Sequence, residues 1–308
     1  MKDISETDLK NNLPLSCKPG MKIPVHVGNT QVGGEGLTIM AGPCTVESRE
    51  QVFSIAKAVK NAGATILRGG VFKPLTFPYG DPLLLADAGT DGENLPRTHI
   101  LSKQETLERA ERRFRYFAEA GKSVGLPIVS EAIVADAIEM MEPYVDMFQV
   151  GYRSMFNMDL LYRLCKTEKP VLLKRHAGES IRSLLGVVEH FYARGKTNLV
   201  VCERGVAVPH THNSASRAIL DIQAIVALNE YAPTIPVIAD PSHSTFKRSY
   251  VQAMSRAAIA AGADGLLIDV HPDPEHAWVD PLQALNFDQF GELMKDVRSI
   301  ALTVGRTL

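Results

Sequence analysis

The chain has 308 residues, 45% of them hydrophobic and 22% charged, with a formal net charge of -2. A near-neutral chain lacks the summed positive potential that holds nucleic acid or an anionic membrane surface, so neither is expected as a partner. No signal-peptide core lies near the N-terminus and no run of 18 apolar residues occurs, which predicts a cytoplasmic protein; four widely spaced cysteines read as reduced thiols instead of a disulfide framework.

In chain order, residues 1–21 read as an N-terminal tail. Residues 22–36, IPVHVGNTQVGGEGL, alternate apolar and polar around a GN turn and predict a β-hairpin closing the N-terminal mouth of the unit that follows. From residue 37 to 308 come eight strand-like runs: LTIMAGPC from 37, ATILRGG from 64, LPIVSEA from 126, MFQVGYR from 147, PVLLKRH from 170, LVVCERG from 199, IPVIADPSH from 235 and GLLIDVHP from 265. Helical patterns alternate with them, among them those beginning at Ser48, Ser180, Ser216 and Lys247. The runs are apolar without clean alternation, as parallel strands buried on both faces are. Eight strand–helix units predict an α/β protein, a (β/α)8 TIM barrel, with a doubly wound sheet as the other arrangement of such units. Residues 80–113 carry Gly, Asp, Pro and Asn and then a charged helical pattern, and read as an insertion enlarging the loop after the second barrel strand.

Charged and metal-ligating residues follow the apolar runs. Arg68, Arg153, Lys174, Arg175 and Arg204 would meet on one rim of a barrel, where arginine grips phosphate or carboxylate in bidentate fashion and lysine acts as a point charge. Glu131, Glu203 and Asp240 lie at neighbouring strand ends, so structural salt bridges are the alternative for some of these cations. Cys44, His243, Asp269 and Asp280 offer a thiolate, an imidazole and two carboxylates, a donor set suited to Mn, Fe, Co or Zn. Each alone is more often core packing or a cap; their shared placement argues for a divalent metal site.

The motifs AGPCTVES (41–48), LRGGVFKPLTFPY (67–79), QVGYRSMFN (149–157), PVLLKR (170–175), VCERG (201–205), VIADPSHSTFKRS (237–249) and LIDVHPDPEHAWVDPLQAL (267–285) resemble those of the 3-deoxy-D-arabino-heptulosonate 7-phosphate (DAHP) synthases. The likeness runs over about 22–305 and is to their short branch, related to the 3-deoxy-octulosonate 8-phosphate synthases. It implies a transferase that condenses phosphoenolpyruvate with an aldose aldehyde in the pathway to aromatic amino acids. By position, Cys44, His243, Asp269 and Asp280 are similar to the family's metal ligands. Arg68, Lys73, Arg153, Lys174 and Arg204 correspond to its phosphoenolpyruvate clamp, Lys73 and Glu131 to groups beside the reacting atoms, and Pro74, Leu75, Thr76 and Asp280 to the acceptor side. A homo-oligomer, dimer or tetramer, is also implied.

The chain departs from that pattern at three places. Leu75 stands where the family has a phosphate-binding arginine, Val206–His210 replaces a segment with a second cation, and Asp269 replaces a glutamate. Three readings follow: erythrose 4-phosphate with replacement cations from Arg97, Lys103 or Arg109; a different, unphosphorylated aldehyde; or a catalytically silent binding protein. Of the remaining residues, His176, His190, His210, His212 and His276 read as solvated or capping, His271 as orienting the metal shell or the phosphate, and Trp278 and Phe77 as candidates for the acceptor side.

Overall fold

The computed structural model describes residues 4–85, 94–209 and 218–308. Two short strands, β1 (Val25–Val27) and β2 (Thr30–Val32), pair antiparallel as the predicted hairpin. The next eight are β3 (Thr38–Gly42), β4 (Ile66–Arg68), β5 (Ile128–Ala132), β6 (Met147–Val150), β7 (Val171–Lys174), β8 (Leu199–Glu203), β9 (Val237–Ala239) and β10 (Gly265–Asp269). Each pairs parallel with its neighbour, and β10 pairs with both β9 and β3, so the sheet closes on itself and the doubly wound alternative falls. The seam is tight: Gly265 opposes Thr38, and any Cβ at Gly265 would run into the Thr38 carbonyl.

The unbroken apolar runs follow from this closure. Along β3, Ile39 and Ala41 face the outer helices while Met40 faces the lumen with Ile66, Val129, Leu172 and Leu267, and all of them are buried. The hairpin adds Val25, Val27 and Val32 to that inner cluster, so the floor of the barrel is plugged by side chains from outside it. Gly28 and Gly33, both at positive φ, bring the hairpin against Pro127 and Pro236 at the entrances of β5 and β9, closer than a Cβ would permit.

Helix boundaries follow capping chemistry. Ser48 accepts from the Gln51 N–H to start the helix Arg49–Ala62, and Gly63 ends it at φ 109°. Ser102 and Glu105 form a reciprocal capping box at the start of Lys103–Val124. That helix packs on Arg49–Ala62 as the barrel's second outer helix, so residues 103–113 of the expected insertion belong to the barrel itself. The helical pattern from Ser216 begins later than expected, at Ile222, because Asp221 caps it and Ile219 is bridged to Val206. The N-terminal segment is docked: Leu13 is buried, and the Leu15 and Ser16 N–H groups donate to Glu189 on the outer helix Ile181–Tyr192.

Truncating a plug residue tests the closure of the floor. Val27→Ala is expected to cost about 2 kcal/mol, seen as a lowered urea or thermal midpoint, with turnover per folded molecule retained because the site lies at the opposite rim.

Candidate active site

Arg68, Glu131, Arg153, Lys174, Arg175, Glu203, Arg204, Asp240 and Asp269 lie at or just beyond the C-terminal ends of the barrel strands, the face where barrels of this kind are functional, and Lys73, His243 and Asp280 lie in the connections that follow those ends. A cavity of about 230 Å³ opens there, and Lys73, Glu131, Arg153, Lys174, Arg204, His243 and Asp280 line it together with Pro74, Leu75 and Thr76. Cys44, Arg68 and Asp269 lie beneath it, all buried.

The metal-type donors converge. Cys44 Sγ donates to Asp280 Oδ2 at 3.0 Å and lies 3.9 Å from His243 Nε2, which is 3.8 Å from Asp280 Oδ2. Among the described residues these three form a group whose ligand atoms all lie within 4.8 Å of one another. Two ligands at ordinary distances from one tetrahedral ion sit roughly 3.3–3.8 Å apart; the two separations from His243 are close to that, the thiol–carboxylate hydrogen bond is shorter, and the S, N and O donor chemistry fits a divalent transition metal. Asp269 stands beside the group, with Oδ2 3.5 Å from His243 Nε2, but it also has other partners: its Oδ1 is 2.7 Å from Arg68 Nη1 and its Oδ2 accepts from Gln283.

Each donor is held by a neighbour of opposite charge or complementary polarity. His243 rides on a one-turn helix, Pro241–Thr245, not on the strand itself; Asp240 caps that helix and lies 3.1 Å from the ring Nδ1. A carboxylate only accepts, so Asp240 accepts from Nδ1–H, which turns Nε2 toward Cys44 and Asp280. Asp240 is wholly buried, which by itself opposes ionisation; His243 and Lys174 outweigh that and hold its carboxyl well below the usual range. Lys174 Nζ is 2.6 Å from the same carboxylate. Burial pushes the Cys44 thiol far up, whereas a bound cation would favour the thiolate. Burial also opposes the charge on Asp280, yet His243 and Lys73 keep it below its ordinary range.

The cations divide into those facing the cavity and those engaged elsewhere. Arg204 stacks over Tyr152 at 4.1 Å and Phe246 at 5.2 Å, and Arg153 lies 4.9 Å from the same Tyr152 ring, its Nη1 donating to the Pro74 carbonyl. Burial lowers the pKa of Arg204. Lys73 donates to both the sulfur and the carbonyl of Cys44 at 3.0 Å, and so stands between the two groups of residues. Glu131 accepts from Gln149, and Gly151 leaves the space its carboxylate occupies. Arg175 turns away into an ion pair with Glu203 and Asp221, so the salt-bridge alternative holds for it.

Several expectations are corrected. His271 contacts no metal-type donor directly: it is 3.2 Å from Glu47, which accepts from the Trp278 N–H, and it accepts from the Asp273 N–H. Lys103 pairs with Asp136 and Arg109 donates to the Leu83 and Leu84 carbonyls, so neither supplies a cation to the cavity; the Arg97 side chain packs over Gly80, which lines the cavity, so Arg97 stays beside it. Trp278 lies against Arg113, and Phe77 is largely exposed. His210 and His212, and residues 86–93 of the enlarged loop, lie outside the described residues. Two features escape sequence reasoning: the double role of Asp240, signalled only by its i, i+3 spacing to His243, and the aromatic shelf under Arg204.

A closed eight-stranded barrel with metal-type donors and a row of cations on its C-terminal rim defines a barrel enzyme acting on an anionic small molecule. The chain belongs to the DAHP synthetase I family, whose model matches residues 22–303. It is 34% identical over 281 residues to the phospho-2-dehydro-3-deoxyheptonate aldolase of Thermotoga maritima, covering 91% of this chain and 75% of that protein. It is 27% identical over 280 residues to the 2-dehydro-3-deoxyphosphooctonate aldolase of Syntrophobacter fumaroxidans, covering 87% and 88%. The crystal structure of the Thermotoga maritima DAHP synthase superposes with a TM-score of 0.79 at 33% identity, over 93% of this chain and 76% of that one. A truncated form of the same synthase gives 0.77 at 32% identity, over 93% and 95%. The chain is thus a carbon–carbon bond-forming transferase, which sets aside the silent binding protein.

His243→Ala and Cys44→Ala are each expected to weaken Mn(II) binding at least tenfold and to abolish metal-dependent turnover, read by metal titration of the purified protein and by phosphate release.

Proposed function

We propose that the enzyme condenses phosphoenolpyruvate with erythrose 4-phosphate, giving a seven-carbon 3-deoxy-2-ulosonate phosphate and inorganic phosphate. The observation that carries this reading is a single cavity lined by His243 and Asp280, with Cys44 grouped against them, and by Lys174, Arg204 and Arg153. The relative named as a heptonate aldolase is 34% identical and the octonate aldolases 24–27%, which favours the seven-carbon product.

Lys174 and Arg204 lie deep in the cavity and Arg153 at its mouth, a row that would grip the phosphate and carboxylate of phosphoenolpyruvate and fix C3 toward the acceptor. C3 of the enol forms the new bond to the aldehyde carbon; a water oxygen adds at C2, and phosphate departs with cleavage of its C–O bond. A bound Mn, Fe, Co or Zn ion, held by Cys44, His243 and Asp280 with Asp269 adjacent, would supply Lewis acidity to the aldehyde oxygen. Lys73, poised between the two groups of residues, delivers a proton to the developing alkoxide, and Glu131 with Gln149 orients the water. Asp240 keeps Lys174 and His243 in register.

One observation favours a second acceptor. Pro74, Leu75, Pro82, Phe246 and Val279 give the cavity lining apolar surface, and Lys103 and Arg109 of the helix Lys103–Val124 are committed elsewhere, so an unphosphorylated aldehyde fits that surface.

An acceptor panel decides between them. With Mn(II) and phosphoenolpyruvate, erythrose 4-phosphate is expected to drive phosphate release at least tenfold faster than arabinose 5-phosphate or unphosphorylated aldoses. Faster turnover of an unphosphorylated aldehyde would replace the acceptor, and no release with any aldehyde would overturn the reaction.

A further inference from the structure

Asp280 is one of two described non-glycine residues at positive φ, at 55°, in the loop after β10, beyond its short 3-10 turn at Pro274–His276. A side chain there costs of order 1 kcal/mol or more and persists only where the surroundings fix it. The residues that fix it come from the segments carrying the other two donors. Three positions after Cys44, Glu47 accepts from the Trp278 N–H at 2.8 Å, two residues before Asp280. Five positions after His243, Arg248 donates Nη2 to the Pro281 carbonyl at 2.8 Å and Nε to the Ala284 carbonyl at 2.6 Å, while its own N–H donates to Leu282 at 2.8 Å. Its third guanidinium nitrogen reaches Glu275 at 2.7 Å, on the near side of the loop. Glu47 is itself buried and held by His271.

We infer that Arg248 and Glu47 are positioning residues for Asp280, clamping its loop so that the carboxylate reaches the point shared by Cys44 and His243. The inference rests on the metal reading of those three residues. Arg248 suits the task because its planar fork spans carbonyls on both sides of the loop's return, which a single ammonium cannot do. It touches neither the cavity nor a donor atom, so its effect travels only through the conformation of 278–284.

A double-mutant cycle on Mn(II) affinity, measured by spin-resonance titration of the metal-free protein, separates this role from a general loss of stability. Arg248→Met is expected to weaken Mn(II) binding about tenfold, and Arg248→Lys to recover only part of it. In an Asp280→Ala background, Arg248→Met is expected to have no further effect. Wild-type affinity in Arg248→Met, or additive losses in the double variant, would overturn the clamp. If Arg248→Met does not fold, the same cycle is run with Arg248→Lys and Glu47→Ala, and additive losses there would overturn the clamp in the same way. Wild-type protein that takes up no Mn(II), or Asp280→Ala with unchanged affinity, would instead overturn the metal reading.

Discussion

Charge cannot be buried singly at the mouth of a barrel, and the site is built around that constraint. Arg68 meets Asp269, Lys174 meets Asp240 and through it His243, and Lys73 meets the sulfur of Cys44. Every one of these pairs joins a cation suited to the anionic substrate with a residue suited to the metal or holding one that is. Neither set would be stable alone at this depth. The two halves of the chemistry are therefore interleaved in the fold before either ligand arrives, and the short reach of the pairs keeps the two binding regions adjacent.

The barrel was legible because its strands are buried on two faces, which leaves an unbroken Val, Ile and Leu signature, and because the cap at Ser48 and the stop at Gly63 are local devices. The candidate site was legible for a related reason: where an apolar run ends, the next side chain must point into the rim. Arg68, Lys174 and Asp269 fall where that rule puts them.

What the sequence hid was set by tertiary contact. Nothing in the order of residues says that Arg175 would turn to Glu203 while its neighbour Lys174 faces the cavity, or that Lys103 would be drawn to Asp136. The left-handed turn at Asp280 has no glycine to announce it, and the contacts around it, from Cys44, Glu47 and Arg248, come from residues distant in sequence. Likewise the shelf of Tyr152 and Phe246 under Arg204 joins side chains from two different connections.

The valine plug has a consequence at the other end of the molecule. With Val25, Val27 and Val32 filling the floor, the lumen is not a passage, and the cavity is entered from the rim. Depth within it then sets traffic: Lys174 and Arg204 sit at the bottom and Arg153 at the threshold. An anion gripped by all three has to enter through that one opening. Access from one side is in this sense a property of the barrel's closed base as much as of the residues that line the cavity.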